Sequence, residues 1–299
     1  MARDWESIFT TWSNGPSQTE QEKAENAENQ IRNAISASTK LNSRNIKVFA
    51  QGSYRNRVNV RKDSDVDIGI LCYDTYFPEY PDDNTKAMLK NSTSTATYTY
   101  EVFKNEIEEA LIAKFGRASV TRGNKSFDIK ENSYRVDADV TAFFEHRRYK
   151  PDGSYLSGVE LRTDDYYPLS IKNWPEQHYE NGVNKNTLTN RRYKRIVRIL
   201  KTLSNEMSNN KIVSASQMPS FLIECLAWNA PNNYFTYNTY KSSVRDVLAF
   251  LFNNTNLDEK CSEWGEVSEL KYLFRSSQQW TRQQVHTFIS DAWNYVGYE

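Results

Sequence analysis

The stretch from Gln51 to Leu71, QGSYRNRVNVRKDSDVDIGIL, constrains this chain more than any other. Twelve residues after Ser53 come Asp65-Val66-Asp67, and the second acid opens an apolar run, Ile68-Gly69-Ile70-Leu71, that reads as a strand. Successive strand side chains point to opposite faces, so Asp65 and Asp67 share one face while Val66, Ile68 and Ile70 share the other. Val136-Asp137-Ala138-Asp139-Val140 reads as a second short strand with the same spacing of acids. The hydroxyl of Ser53 and the backbone N–H groups around Gln51 and Gly52 are suited to holding phosphate oxygens.

Magnesium takes oxygen ligands and keeps several waters, so two protein carboxylates plus nucleotide phosphates suffice to hold it. A third carboxylate admits a second Mg²⁺ or Mn²⁺. Two ions about 3.5–4 Å apart stabilise both the attacking and the leaving oxygen of an in-line displacement at an α-phosphorus. Such an ion acidifies a bound hydroxyl and a carboxylate accepts its proton, so no histidine is required. Each part alone is weak, since Gly-Ser marks any turn and Asp-x-Asp also describes a solvated acidic edge. Their combination, with a buried-type strand and a second acidic strand, is what carries the reading. Asp137 and Asp139 share a strand face, and spacing does not choose between them.

The 299 residues, 38% hydrophobic and 13% aromatic, are enough for a sizeable core and for two lobes. No apolar run approaches the roughly 20 residues of a membrane span, and Met1-Ala2-Arg3-Asp4 lacks a signal-peptide core, so a cytoplasmic protein is expected. Cys72, Cys225 and Cys261 are too few and too scattered for a disulfide framework or a zinc site. Formal net charge is zero, which removes whole-molecule attraction to nucleic acid. Arg55, Arg57, Arg61 and Lys62 lie between the Gly-Ser element and the acids, as phosphate contacts or as a solvated loop. His146, inside Phe144-Glu145-His146-Arg147-Arg148, has no evident chemistry, and His178 and His286 offer it no ligand spacing.

Thr19-Glu20-Gln21-Glu22 has the capping-box form and is expected to open a helix to about Ser38, with Ala24, Ala27, Ile31, Ala34 and Ile35 on one face. A strand near 47–50 feeds the Gly-Ser element. Residues 78–99, rich in Pro, Asp, Asn, Ser and Thr, read as an exposed insertion before a helix carrying Tyr100, Phe103, Ile107, Leu111 and Phe115. Gly123-Asn124 and Pro151-Asp152-Gly153 read as hairpin turns. Beyond about 170 strand signals fade, and helical patterns are expected at 190–207, 217–229, 238–253 and 281–296. In the first of these, Tyr193, Val197 and Leu200 face a core, while Arg191, Arg195 and Arg198 form a basic stripe, open to a triphosphate or simply to solvent.

These residues resemble the polymerase β-like nucleotidyltransferases: Gly-Ser, then Asp-x-Asp on a strand, then an acid on a neighbouring strand. More narrowly they resemble the CD-NTases, the bacterial relatives of cyclic GMP-AMP synthase and oligoadenylate synthase. Residues 48–71, ADVTAFFEHRRY at 138–149 and NWPEQHYENGVNKN at 173–186 look most like CdnE-type enzymes of anti-phage CBASS systems. The resemblance implies an α+β fold, with a mixed-sheet catalytic lobe over 1–170 and a long N-terminal helix. A helical lobe over 171–299 would complete a nucleotide-binding cleft. It assigns the third metal acid to Asp139, which precedes Val140-Thr141-Ala142-Phe143, with Thr141-Ala142 departing from the family's usual proline. It places Lys201 and, some twenty residues on, Ser220-Phe221 on the β- and γ-phosphates.

It also sets Asn173 where some CdnE-type enzymes carry an asparagine associated with uracil; from the residues alone Asn173 equally reads as a helix N-cap ahead of Pro175. Tyr166, Tyr167, Tyr234 and Tyr237 are candidates for stacking on a base. The implied activity is joining ribonucleoside triphosphates, ATP, UTP or others, into a cyclic product that activates a downstream effector. No stable nucleic-acid partner is expected, and a monomer is. A linear nucleotidyltransferase acting on RNA or a protein hydroxyl, and a catalytically silent nucleotide-binding regulator, are the competing readings.

Overall fold

The computed structural model describes residues 3–60, 65–90, 96–132, 137–166 and 169–299. The helices are α1 (Trp5–Trp12), α2 (Gln18–Ala37), α3 (Gly52–Asn56), α4 (Asp83–Lys90), α5 (Tyr100–Phe115), α6 (Pro175–Leu188), α7 (Tyr193–Asn209), α8 (Val213–Ser216), α9 (Ser220–Asn229), α10 (Tyr240–Thr255), α11 (Asp258–Cys261) and α12 (Arg282–Val296). The strands are β1 (Ile46–Ala50), β2 (Val66–Glu79), β3 (Val120–Arg122), β4 (Phe127–Ile129), β5 (Ala138–Tyr149), β6 (Tyr155–Arg162) and β7 (Ser170–Asn173). The chain is α+β, as expected, and divides into two compact units, 17–55 with 61–175, and 1–16 with 56–60 and 176–299. The change near the middle of the chain thus falls at 175/176 rather than 170/171, and α1 belongs with the C-terminal helices. The reason is packing: Trp5 and Phe9 are buried in one core with Tyr193, Val197 and Val244.

In the first unit the strands form one mixed sheet in the order β1-β2-β5-β4-β3, with β6 against β5 and β7 against β6. β2 and β5 run parallel, and the other pairings are antiparallel. Alternation separates the faces only at the starts of β2 and β5, where Val66, Ile68, Ala138 and Val140 are buried and Asp67 and Asp139 half-buried; further along, both faces are covered. Ile68, Ile70, Val140, Ala142 and Phe144 are buried in a core with α2 and α5, and Phe144 meets Tyr100 and Phe103 at ring separations of 5.4 and 5.5 Å. Burying a ring of this size contributes roughly 1.5–3 kcal/mol, so the helix-covered face is held firmly and the acids are left on the other.

α2 buries the five residues expected of it, but its capping box is Ser17 with Glu20, two residues before the Thr19 box read from sequence. Both stretches fit the motif; Pro16 sits immediately before Ser17. The expected insertion at 78–99 is also more ordered: β2 runs on to Glu79 and α4 occupies Asp83–Lys90, while 91–95 lie outside the described residues. The hairpin at Gly123-Asn124 joins β3 to β4, and Gly153, at φ +82°, turns β5 into β6.

In the second unit α7 buries Tyr193, Val197 and Leu200 as expected. The basic stripe does not survive as a unit. Arg198 is buried and donates from Nε and Nη2 to the Ser13 carbonyl, at 2.9 and 2.5 Å, and from Nη1 to the Arg57 carbonyl at 2.6 Å. Arg195 donates to the Tyr240 hydroxyl. All three cysteines are buried and free. Among the described residues no helix is long and apolar enough to cross a membrane.

Candidate active site

The acids are gathered by register. Asp67 on β2 lies directly opposite Asp139 on β5, and Asp139 lies opposite Asp128 on β4. Strands are about 4.8 Å apart, so three carboxyl-bearing residues stand in a row across the face away from α2 and α5. Asp65 is two residues upstream of Asp67 and exposed. Asp137 is engaged elsewhere, since its carboxylate accepts the Glu131 N–H and its carbonyl accepts the Val66 N–H. Asp139, rather than Asp137, is the acid in register with Asp67. Asp128 is not among the acids that residue spacing singles out.

The Gly-Ser element is pressed against this row. β1 pairs with β2 up to Ala50 opposite Ile68, and the Gln51 N–H then donates to the Asp67 carbonyl at 2.8 Å. Gly52 follows at φ +63°, and a Cβ there would lie 2.1 Å from Asp67 Oδ2. Only glycine supplies both the left-handed backbone and the room. Ser53 is the second residue of α3. Two residues beyond Asp67 on the same face, Gly69 makes space for the Phe49 ring, whose Cζ would be 2.5 Å from an added Cβ. Of the four basic residues between these elements, Arg55 lies 6.0 Å from the Phe49 ring, Arg57 is exposed, and Arg61 and Lys62 lie outside the described residues, as do Asp63, Ser64 and Val136.

The electrostatics follow from crowding. Burial, with the neighbouring Asp65 charge, pushes the Asp67 carboxyl up to about 6. Burial, a hydrogen bond with Asp128 and the charges of Asp65, Asp128 and Asp67 push Asp139 up to about 7. Asp65 is raised by burial and by Asp137 and Asp128. Like charges held in a partly dry place favour their neutral forms, and a multivalent cation removes that penalty. The donor set is carboxylate oxygen throughout, the chemistry magnesium and manganese prefer. Among the described residues no group of three such side chains is placed so as to hold an ion.

The remaining candidates are dispersed. Asn173 ends β7 opposite Val159, which pairs with Glu145, six residues along β5 from Asp139. It precedes Trp174 and the start of α6 at Pro175, so it is not the residue adjoining that helix. Lys201 on α7 and Ser220, the first residue of α9, belong to the other unit. Lys201 is buried and donates to Glu224 on α9 at 3.3 Å, whereas Ser220 is exposed. Tyr166 and Tyr237 are exposed, Tyr234 packs on Phe250, and Tyr167 lies outside the described residues.

His146 is explained without chemistry. Its Nδ1 is 2.9 Å from Glu160 and its Nε2 is 3.2 Å from Glu79. Glu79 also accepts from Arg148 at 2.8 Å and Lys172 at 2.7 Å. Burial opposes ionisation of Glu79, yet these cations outweigh it and hold its carboxyl below the usual range. The motif is a scaffold of ion pairs across β2, β5, β6 and β7.

A glycine-serine turn set against strand-borne carboxylates suits phosphoryl chemistry, and comparison with known proteins gives the class. Residues 180–297 match the model of the cGAS/DncV-like nucleotidyltransferase C-terminal helical domain. The cyclic dipyrimidine nucleotide synthase CdnE of Legionella pneumophila is 44% identical over 302 residues, 99% of this chain and 99% of that protein. Among solved structures, the CdnE cyclic dinucleotide synthase of Elizabethkingia meningoseptica with GTP and Apcpp matches at TM-score 0.80 and 34% identity, covering 98% of this chain and 99% of that one. The CdnE c-UMP-AMP synthase of Rhodothermus marinus with Apcpp and Upnpp matches at TM-score 0.84 and 26% identity, covering 98% of each. The chain belongs to the CD-NTase family of nucleotidyltransferases, among its CdnE-type members.

Proposed function

We propose that this chain joins two ribonucleoside triphosphates into a cyclic dinucleotide containing at least one pyrimidine, releasing pyrophosphate at each step. The observation that carries the reading is the register that aligns Asp67 with Asp139 while Gly52 packs on the Asp67 carboxylate. Mg²⁺ or Mn²⁺, held by Asp65, Asp67 and Asp139, would neutralise charge at the α-phosphate and acidify the attacking hydroxyl. Ser53 and the Gly52 N–H hold phosphate oxygens of the donor, the Gln51 N–H being committed to the Asp67 carbonyl. Lys201 and Ser220 contact its β- and γ-phosphates. The acceptor ribose oxygen forms the new bond to the donor α-phosphorus, the bond from that phosphorus to the leaving oxygen breaks, and the hydroxyl proton passes to a carboxylate. A second round between the ends of the linear intermediate closes the ring.

The pyrimidine assignment is supported by Asn173 and by the Legionella relative, named for a cyclic dipyrimidine product. The product would activate an effector protein in anti-phage defence, with synthesis in the cytoplasm. The test is mass spectrometry of products formed from all four ribonucleoside triphosphates with Mg²⁺ or Mn²⁺, beside an Asp65→Asn, Asp67→Asn double variant. A phosphatase-resistant cyclic product containing uracil or cytosine, absent from the variant, is expected. A linear product would support the RNA-type transferase instead, and an unchanged product from the variant would refute the carboxylate assignment.

A further inference from the structure

We propose that Glu224 is a positioning residue for nucleotide binding: it holds the Lys201 ammonium in place for the triphosphate. This rests on the reading of Lys201 as a phosphate contact. Three helices supply the arrangement. Glu224 on α9 accepts from Lys201 Nζ on α7 at 3.3 Å through one oxygen, and lies 3.0 Å from His178 Nε2 on α6 through the other. Glu224 is 3% exposed and Lys201 2%. A carboxylate only accepts, so His178 Nε2 is the donor, and both Glu224 oxygens are thereby fixed. An ammonium has three donors, of which the structure assigns one, leaving capacity for anionic oxygens. Glu224 also stands four residues after Ser220, on the same face of α9 as the second proposed phosphate contact.

A structural ion pair would look similar at rest, but the energetics separate the two. A buried ammonium deprived of its counter-charge sheds its proton or swings toward water. If Lys201 serves the triphosphate, that loss appears in nucleotide affinity and not only in stability. Burial opposes ionisation of Glu224, yet Lys201 and His178 outweigh it and hold its carboxyl well below the usual range, so Glu224 is a permanent anion at any working pH.

The experiment is a double-mutant cycle on the full chain, with Glu224→Gln, Lys201→Met and both together. Calorimetry gives the Kd of a non-hydrolysable nucleoside triphosphate, and thermal melting reports the fold. Glu224→Gln should weaken triphosphate binding about tenfold or more, and should add little once Lys201→Met is present, because the two act through one contact. If Lys201→Met leaves Kd unchanged, the reading of Lys201 fails and the proposal with it. If Lys201→Met weakens binding but Glu224→Gln lowers only the melting temperature, or tightens binding, Lys201 stands and the positioning role of Glu224 is overturned. Should Glu224→Gln not fold, Glu224→Asp, which keeps the charge but retracts it by one methylene, should weaken binding severalfold, and unchanged affinity there would refute the proposal.

Discussion

Asp67→Asn should abolish synthesis and yet, in metal-free buffer, make the protein more stable. Burial and the nearby Asp65 charge raise the Asp67 carboxyl from 3.8 to about 6. At 1.36 kcal/mol per pKa unit, holding it ionised in the native state costs about 3 kcal/mol. The sign follows from proton binding. Between 3.8 and about 6 the native state binds more protons than the unfolded chain, so stability falls as pH rises through that window. The penalty is absent well below 3.8, about 1.6 kcal/mol at pH 5, and complete, about 3 kcal/mol, by pH 8. Asparagine keeps the shape and removes the charge. Urea unfolding in EDTA should therefore show the variant ahead of wild type by about 2–3 kcal/mol at pH 8, and by roughly half that at pH 5. Magnesium should then stabilise wild type, by about 2.7 kcal/mol at a hundred times its Kd, and leave the variant nearly unmoved. A variant less stable than wild type at pH 8 in EDTA, or one that still synthesises, would show that the carboxylates are not under this mutual strain.

Gly52→Ala should cost roughly 1–2 kcal/mol for the left-handed backbone alone, and its methyl must also displace the Asp67 carboxylate. Synthesis should fall at least tenfold in a protein that still melts cooperatively; near-normal turnover would mean that the close approach is unimportant. Arg198→Ala should destabilise by about 2–4 kcal/mol, because it strands the Ser13 and Arg57 carbonyls and removes a charge-assisted tie between α7 and the end of α1. Denaturant melts followed by tryptophan emission would read this through Trp5 and Trp12, and an unchanged midpoint would refute it.

What the sequence made legible was periodicity, and what it hid was pairing. Asp65 and Asp67 on one face, Ile68 and Ile70 on the other, and the buried edge of α2 all follow from residue spacing. That Asp139 falls opposite Asp67, and Asp128 opposite Asp139, depends on register between segments tens of residues apart. Asp128 was within reach, since Phe127 and Ile129 are buried and alternation leaves the residue between them on the acid face. The body of α6 is hidden for a different reason: its buried positions are His178, Gly182 and Lys185, so it carries no apolar stripe. Arg198 misleads in the opposite sense, because a long cationic side chain satisfied inside the fold reads in sequence like one facing water.

Charge in this fold is placed under two rules, one followed by most buried ions and the other by the acid row. In the helical unit buried ions are answered at once: Arg198 by two carbonyls, Lys185 by the Ala230 carbonyl at 2.7 Å and Asn232 at 2.8 Å, Glu224 by Lys201 and His178. In the sheet unit the Glu79 cluster is answered too, but Asp65, Asp67 and Asp139 are raised together by burial and by neighbouring acids. Folding alone gives no reason to keep like charges in a row when asparagine at any of them would relieve the repulsion. A bound cation would relieve that repulsion, which is the physical argument for the proposed metal site.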